Sequence, residues 1–429
     1  MERQIIECKE LNEVNYIYTL DSGLKIIISP KKGFAKKCMM FGTNFGSVVN
    51  KYTDDNGIIK KLPDGIAHFL EHKLFESEEG DAFSKYAQTG GNANAYTSFN
   101  HTVYYFTCTD KFYENADILL ELMQTPYFTK ENVHKEQGII GQEINMYLDH
   151  PGWRVFFNML QAMYHKNPVR IDIAGTCETI SHITPELLYD TYNKFYNAGT
   201  FCISICGDVD PDETYEYIIK KLNRIKPASN SSAITEDEPE TVYQKEISQK
   251  LDVNIPLFNI GFKDNDIGLS GDAMIKKIIT GKIALDVLFG KSSSFYNRLY
   301  DLGLITDSFE TEYVCEKEFS HSIISGESTS PEKVKEEIIK EISKTIDHID
   351  EKDFIRQKIM NKSSHIRSFN SPDNVASANL ESVFNNFNNY NFDKIIDEIT
   401  LEDINNHIKT MTEDLCVYSV VLPKEQNNE

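Results

Sequence analysis

The amino-acid sequence predicts an α+β fold made of two homologous halves, each a mostly antiparallel sheet packed with helices. A repeat is the main observation: residues 183–206 and 399–421 both combine a Thr-capped helix, with an apolar face at i, i+4 and i+7, and a short apolar strand. Their offset is about 216 residues, half of the chain, and the helical stripes at 112–123 and 334–342 repeat at about 220 residues. Single helix–strand units often look alike, but two matches at nearly one offset favour duplication.

The chain of 429 residues divides, in this interpretation, at a polar segment near its middle. Residues 226–248 are rich in Pro, Ser, Asn and acidic side chains and are predicted to be a linker. The first predicted domain is therefore 1–225 and the second is 249–429. Strand-like segments such as 23–28 and 102–108 alternate with long amphipathic helices, which favours a sheet with helices on one face in each half.

Composition and charge narrow the class of protein. The chain carries 44 Lys plus Arg and 66 Asp plus Glu, a net charge of −22, which disfavours nucleic acid as a partner. No segment approaches about 18 consecutive apolar residues, and the N-terminus lacks the basic and apolar regions of a signal peptide, so neither a membrane span nor secretion is expected. The 8 cysteines show no CxxC spacing and are predicted to be reduced thiols of a cytoplasmic protein.

The motif that carries chemistry lies in the segment DGIAHFLEHKLFE, residues 64–76. Its apolar residues predict a helix, on which His68 and His72 are one turn apart on the same face, so both imidazoles can bind a single metal ion. Glu71 lies beside them and can accept a proton from a water that a zinc ion has made acidic. Two alternatives stay open: a chance HxxEH, which about 2 in 100 such chains would contain, and two histidines of the core.

A catalytic zinc site needs a third protein ligand, and the segment KEQGIIGQEINMYLD, residues 135–149, offers two candidates. Glu136 and Glu143 are two helical turns apart on one face. Glu143 completes a ligand set of two histidines and one glutamate, and Glu136 then lies behind the ligands, where it can orient a ligand or the water. The alternative is two solvated surface glutamates, which the HxxEH motif disfavours.

A Tyr-rich segment, GGNANAYTSFNHTVYYF at residues 90–106, is the third feature. Gly90 and Gly91 predict a turn, and residues 97–106 are rich in Tyr, Phe, Thr and Val, which predicts a strand. A plain hairpin with a Tyr-rich face is the alternative to a functional role.

These motifs resemble the insulinase/pitrilysin family of zinc peptidases, which carry the inverse of the HExxH signature. The similarity covers most of the first half of the chain, in the order GIAHFLEHKLFE, GGNANAYTSFNHTVYYF, the Glu136–Glu143 segment with DHPGWR, and NPVRIDIAGT. It is strongest to the short bacterial members, including a group associated with elongation factor P modification. The resemblance implies two homologous α+β domains that face each other across a closed chamber.

The resemblance also implies a metal site in the first domain. Zinc would be held by His68, His72 and Glu143, with Glu71 as general base and Glu136 behind the ligands. The first domain is then the zinc-binding catalytic domain, and the second is a homologous domain without a metal.

A substrate and an activity follow from the same resemblance. An extended peptide would add to the Tyr-rich strand by backbone hydrogen bonds, with Asn94, Ala95 and Tyr96 as the substrate-binding residues. The expected activity is that of a zinc-dependent metalloendopeptidase, which cleaves peptides or small unfolded proteins. The alternative is a non-catalytic structural or assembly subunit with the same fold.

One family feature is missing from the second half. Members that are complete in one chain carry an Arg and, seven residues later, a Tyr, whereas the matching positions here are Leu299 and Thr306. Arg298 is one place away from the expected position, and it is followed seven residues later by Ile305. We therefore expect a homologous partner subunit to supply the Arg–Tyr pair, or else a homodimer.

Overall fold

The computed structural model describes residues 2–229 and 231–424, and it confirms the predicted α+β class. The strands are β1 (Glu2–Cys8), β2 (Glu13–Thr19), β3 (Lys25–Pro30), β4 (Lys37–Thr43), β5 (Lys51–Thr53), β6 (Ile59–Lys61), β7 (Glu76–Ser77), β8 (Gly80–Asp81), β9 (Asn92–Thr97), β10 (Thr102–Cys108), β11 (Phe201–Gly207), β12 (Ser232–Ala233), β13 (Glu246–Leu251), β14 (Leu257–Lys263), β15 (Glu310–Cys315), β16 (Ser320–Glu327) and β17 (Cys416–Pro423). The α-helices are α1 (Ile66–Leu74), α2 (Ala82–Thr89), α3 (Phe112–Gln124), α4 (Lys130–Asp149), α5 (Pro151–Met163), α6 (Cys177–Ser181), α7 (Pro185–Phe195), α8 (Pro211–Lys221), α9 (Gly271–Phe289), α10 (Ser294–Asp301), α11 (Pro331–Thr345), α12 (Glu351–Ser368), α13 (Pro372–Phe384), α14 (Phe392–Glu398) and α15 (Leu401–Thr410).

The chain forms two compact units, each assembled from separate segments. The first contains the chain up to Ile144, Asp172–Ile234 and Ile366–Tyr390. The second contains Asn145–Ile171, Thr235–His365 and the chain from Asn391 onward. The division of the sequence into the domains 1–225 and 249–429, with a linker at 226–248, stays a prediction.

The first unit is built on a seven-stranded sheet with the order β1-β2-β3-β11-β4-β10-β9. Its neighbours pair antiparallel, except that β3 and β11 are parallel. The central strands are almost continuously buried because both faces of the sheet are covered. On β4, Met39 and Phe41 join the core that contains Phe69 of α1, whereas Met40 faces Leu380 of α13.

The second unit contains a five-stranded sheet with the order β13-β17-β14-β16-β15. The pair β13–β17 is parallel, and the pairs that follow are antiparallel. This is the same series of pairings as in β3-β11-β4-β10-β9, so the two sheets repeat one topology. Helix α5 packs on β14 and β17 as α13 packs on β4 and β11, and both helices begin with a proline, Pro151 and Pro372.

The predicted repeat of helix and strand is confirmed in both units. Thr184 caps α7 by accepting a hydrogen bond from the backbone N–H of Leu187, and Thr400 caps α15 in the same way through Asp403. The strands that follow these helices are the buried β11 and β17. The 8 cysteines are free thiols. Within the described residues, no helix combines the length and apolarity needed to cross a membrane.

The strand predicted at residues 102–108 is confirmed, whereas the continuous strand predicted at residues 97–106 is wrong, because the segment folds as the hairpin that was the alternative. β9 ends at Thr97 and β10 begins at Thr102. Ser98 closes the turn: its backbone N–H donates to the carbonyl of His101 over 2.8 Å, and its hydroxyl accepts from the backbone N–H of His101 over 3.1 Å. β9 is consequently the edge strand of its sheet, next to the helix that carries the HxxEH motif.

A close backbone approach fixes the start of α1. Gly65 precedes the helix with φ 92°, the left-handed region that favours glycine, and a Cβ at this position would overlap the carbonyl oxygen of Ala174. Gly175 has φ 72° and approaches the backbone of Asp64 equally closely. The two glycines therefore let two backbone segments touch at the point where the motif helix begins.

Candidate metal centre

The motif helix places its two histidines side by side. His68 and His72 are four residues apart on α1, and their ring centroids are 4.6 Å apart. The apolar residues Phe69, Leu70 and Leu74 are buried in the core of the first unit, which fixes the rotation of the helix. The prediction of a helix with both imidazoles on one face is therefore confirmed.

Glu143 of α4 completes a group of three donors. Its Oε1 lies 3.8 Å from Nε2 of His68, and its Oε2 lies 3.6 Å from Nε2 of His72. All three donor atoms lie within 4.8 Å of one another. Two ligands bonded to one zinc at a tetrahedral angle are about 3.4 Å apart, so the spacing fits a shared metal ion better than direct hydrogen bonds.

His68 provides a direct test of whether these residues fit a metal. Its Nδ1 is buried and has no hydrogen-bond partner among the described residues, and its Nε2 is beyond hydrogen-bond distance of Glu143. Burial, with a smaller effect of His72, lowers the pKa of His68 to about 3. The imidazole is therefore neutral at pH 7, the form in which histidine binds metals.

Glu136 contacts His72 at Nδ1, the ring nitrogen that points away from the donor group. Nδ1 of His72 lies 3.1 Å from Oε1 of Glu136, which leaves Nε2 of His72 directed at the donor group. Burial alone would lower the pKa of His72, but the hydrogen bond to Glu136 and the nearby carboxylates raise it. In this structure Glu136 lies on the side of His72 away from Glu143, and its role stays a prediction.

A buried lysine lies next to this pair. Lys73 is 0% exposed, and its ammonium contacts Glu76 and lies 3.5 Å from Oε2 of Glu136. Burial tends to raise the pKa of Glu136, but the hydrogen bond from His72 and the charge of Lys73 outweigh it and lower the pKa. Glu136 is thus held as a carboxylate between two donors.

Glu71 is buried on the same helix and held by the edge strand. It is 9% exposed, and its Oε2 accepts a hydrogen bond of 2.8 Å from the hydroxyl of Thr97 in β9. Burial raises the pKa of Glu71 in spite of the opposing effects of Thr97 and His72. A carboxylate with a raised pKa is a better proton acceptor near neutral pH than one exposed to water.

A cavity of about 570 Å³ opens beside these groups. Glu71, His72 and Glu136 line it, and so do Asn94 and Ala95, two of the three predicted substrate-binding residues. The apolar part of its wall includes the stacked rings of Phe75 and Phe83 together with Ile139.

Tyr96, the third predicted substrate-binding residue, lies elsewhere. Its ring packs near His101 and Tyr105 and does not line this cavity. Residues alternate between the two faces along a strand, so the side chain of Tyr96 lies on the face opposite Thr97. Any contact of Tyr96 with a peptide in the cavity would use its backbone.

Two residues of the site were missed by sequence reasoning, Lys73 and Thr97. Lysine is almost never fully buried, so the sequence gives no sign that Lys73 belongs to the site, although its neighbours Leu74 and Phe75 continue the apolar pattern. Thr97 was counted as a strand residue, and only the folded hairpin brings it to Glu71.

Two family models match the chain. Residues 60–177 match the family model Insulinase (Peptidase family M16), and residues 182–361 match the model Peptidase M16 inactive domain. All the donors of the candidate centre lie within the first match.

Two relatives match over nearly the full chain, and a third matches about half of it. The protein named uncharacterized zinc protease YmfH of Bacillus subtilis (strain 168) is 36% identical over 424 residues, which cover 98% of this chain and 99% of that protein. The crystal structure of an M16-like peptidase from Alicyclobacillus acidocaldarius superposes with a TM-score of 0.93 at 32% identity and covers 98% of this chain and 100% of that one. Mitochondrial-processing peptidase subunit beta of Dictyostelium discoideum is 28% identical over 52% of this chain and 47% of its own length.

Proposed function

The chain belongs to the insulinase family, peptidase family M16, and on that premise we propose that it is a zinc-dependent metalloendopeptidase. Its substrates are peptides or small unfolded proteins. The observation that carries the proposal is the spacing of the donors of His68, His72 and Glu143, with Glu71 in the wall of the adjoining cavity.

Zn²⁺ is the metal that we assign to the three donors. Two imidazoles and one carboxylate are a ligand set typical of catalytic zinc, and the name of the Bacillus subtilis relative supports the same metal. When bound, zinc acts as a Lewis acid that polarises a carbonyl group and lowers the pKa of water. Three protein ligands leave a coordination position open, as catalysis requires.

Glu71 is the general base in this proposal. Its buried carboxylate accepts a proton from the attacking water and then donates that proton to the amine that leaves when the peptide bond breaks. Glu136 positions His72 and does not touch the reacting atoms. The position of each side chain supports the role proposed for it.

The edge strand β9 is the proposed docking site for the peptide. Among the described residues it pairs with β10 alone, so a substrate can add to its other edge through backbone hydrogen bonds. Asn94 is exposed, and its Oδ1 accepts from the backbone N–H of Ala95 over 2.9 Å, which leaves its amide Nδ2 to donate to a peptide carbonyl. Ala95 contributes backbone and a small side chain to the cavity wall, and Tyr96 contributes backbone.

A second subunit is part of the proposal. Leu299 is fully buried, Ile305 is 3% exposed, and Arg298 donates to Glu337 over 2.6 Å, which supports a proposal in which this chain does not supply the Arg–Tyr pair. We expect a homologous partner to supply the pair, with a homodimer as the alternative. The processing-peptidase relative carries the name of a subunit, which supports an assembly of this kind.

A non-catalytic structural subunit is the rival function. The match to the Peptidase M16 inactive domain begins at residue 182, beyond every donor of the candidate centre. The complete set of His68, Glu71, His72 and Glu143 favours an enzyme, because a scaffold does not require it. We also place the protein in the cytoplasm, with neither nucleic acid nor membrane as a partner.

Metal analysis combined with peptide cleavage tests the proposal. The Glu71→Gln variant should retain zinc and lose cleavage, whereas His68→Ala should lose both. Glu131→Gln, the same change at an exposed position of α4, is the control and should leave both intact. Cleavage is measured with the purified chain alone and with any homologue that co-purifies. Retained cleavage by Glu71→Gln contradicts the assigned role, and the absence of zinc and cleavage from every preparation favours the scaffold.

A further inference from the structure

Thr97, the last residue of the edge strand β9, donates a hydrogen bond from its side chain to Glu71. Its hydroxyl lies 2.8 Å from Oε2 of Glu71. Glu71 is buried, so this hydrogen bond faces little competition from water. A hydroxyl on a short, β-branched side chain restricts the orientation of the carboxylate more than a long flexible donor would.

The direction of the hydroxyl bond follows from its neighbours. Thr102 lies opposite Thr97 in the hairpin, and its hydroxyl donates to the carbonyl of Phe45 over 2.9 Å. This uses the single hydroxyl hydrogen of Thr102, which lies 3.4 Å from the hydroxyl oxygen of Thr97. The hydrogen of Thr97 is therefore available for Glu71, and a carboxylate can only accept it.

The residues around Thr97 are buried and closely packed. Thr102 is fully buried, as are Tyr104 and Tyr196, whose hydroxyls lie 3.0 Å apart behind the hairpin. Close packing of this kind holds Thr97 at a fixed distance from α1. β9, which carries Asn94 and Ala95, therefore ends at Thr97, whose hydroxyl is hydrogen-bonded to Glu71, the proposed general base.

We propose that Thr97 is a positioning residue, which orients the carboxylate of Glu71 for proton transfer through its hydroxyl. The inference rests on the proposed peptidase function and adds a residue to its machinery. Thr97 touches neither the peptide nor the metal donors in this proposal, and it acts through Glu71. Its loss should therefore affect the chemical step and leave peptide binding and zinc binding unchanged.

The test compares two conservative substitutions at Thr97 with one control substitution in β10. Thr97→Val replaces the hydroxyl by a methyl group and keeps the β-branched shape, whereas Thr97→Ser restores the hydroxyl. Thr107→Val is the matched control, because Thr107 lies in β10 opposite Asn92 and has no contact with Glu71 among the described residues. Peptide cleavage by the zinc-loaded protein is measured together with zinc content and with peptide affinity in the Glu71→Gln background.

Thr97→Val should lower kcat by about 10- to 100-fold with an unchanged KM, the effect of a lost hydrogen bond to a charged, correctly oriented group. Thr97→Ser should recover most of the rate, and Thr107→Val should cleave like the wild type. Zinc content and peptide affinity should be unchanged by Thr97→Val. An unchanged kcat, a rise in KM alone, or a loss of zinc overturns the inference.

The design separates this inference from the function on which it rests. If the wild-type protein cleaves peptides and Glu71→Gln does not, the peptidase proposal holds whatever Thr97→Val does. Equal kcat values for Thr97→Val and the wild type would then contradict only the role of Thr97. A wild-type protein without any cleavage, alone or with a partner, contradicts the peptidase proposal and the inference together.

Discussion

Nδ1 of His72 lies 3.1 Å from Oε1 of Glu136, and this contact decides which nitrogen of the ring faces the metal donors. With the proton on Nδ1, the lone pair is on Nε2, 3.6 Å from Oε2 of Glu143. A carboxylate behind a histidine ligand also raises the basicity of the imidazole. Glu136 is not one of the three proposed metal ligands, yet its contact with His72 should affect the affinity of the site for zinc.

Replacement of Glu136 should weaken zinc binding without abolishing it. Glu136→Gln removes the negative charge behind His72, and the expected loss of zinc affinity is about 10- to 100-fold. Titration against a chelating indicator measures the affinity. Glu131→Gln on the same helix should bind zinc like the wild type, and equal affinities for both variants would refute the role of Glu136.

Lys73 should be a major contributor to the stability of the first unit. Its buried ammonium forms ion pairs with Glu76 and Glu136, and Lys73→Met leaves both carboxylates without that positive charge. Removing one partner of a buried ion pair costs about 3–5 kcal/mol in the free energy of unfolding. Chemical denaturation of the zinc-free protein measures this loss.

The control for Lys73 is a lysine whose ion pairs are more exposed. Lys85 pairs with Glu79 and Glu121 and is 32% exposed, so Lys85→Met should cost less than about 1 kcal/mol. If Lys73→Met and Lys85→Met have equal free energies of unfolding, the buried ion pairs of Lys73 make no net contribution to stability.

Gly65 should be required for the position of the motif helix. Gly65→Ala forces a side chain into a left-handed backbone conformation and against the carbonyl oxygen of Ala174. Gly57 has a comparable φ of 78° but open space around it, so Gly57→Ala carries only the conformational cost of about 1–2 kcal/mol. Gly65→Ala should lower the stability by more than this amount and should also weaken zinc binding. Equal thermal stabilities of the two variants would argue against a tight contact at Gly65.

Local rules were sufficient for the residues that act within one helix. The spacing of His68 and His72 on an apolar helix predicts a shared face, and the two-turn spacing of Glu136 and Glu143 predicts their common direction. The Thr-capped helices before β11 and β17 also follow from local patterns. These features depend on contacts between near neighbours in the sequence.

Features that depend on tertiary packing could not be predicted in this way. The contact between Thr97 and Glu71 exists only after the chain turns at residues 98–101, and the Tyr-rich pattern offered a hairpin as an alternative without locating that turn. Helix α13 lies in the second half of the sequence yet packs on β4 and β11. Lys73 breaks the general rule that lysine stays at the surface, because two carboxylates from different elements meet it inside.

The second unit should lose stability in mild acid through a buried histidine. Burial lowers the pKa of His407 to about 4, and Nε2 of its ring is buried without a hydrogen-bond partner among the described residues. The unfolded chain, with a pKa near 6.5, binds the proton more tightly than the folded one. Stability should therefore be complete above about pH 6.5 and fall as the pH decreases towards 4, by up to about 3 kcal/mol from this residue.

Urea unfolding at about pH 7 and about pH 5 measures this dependence. His407→Leu removes the titrating group and should reduce the difference between the two pH values. His348→Leu is the control in the same unit, since His348 is exposed and should leave the difference unchanged. His321 is also buried with a pKa of about 4, so part of the dependence should persist in His407→Leu. If His407→Leu and the wild type lose equal stability between the two pH values, the buried neutral imidazole of His407 is not a source of acid sensitivity.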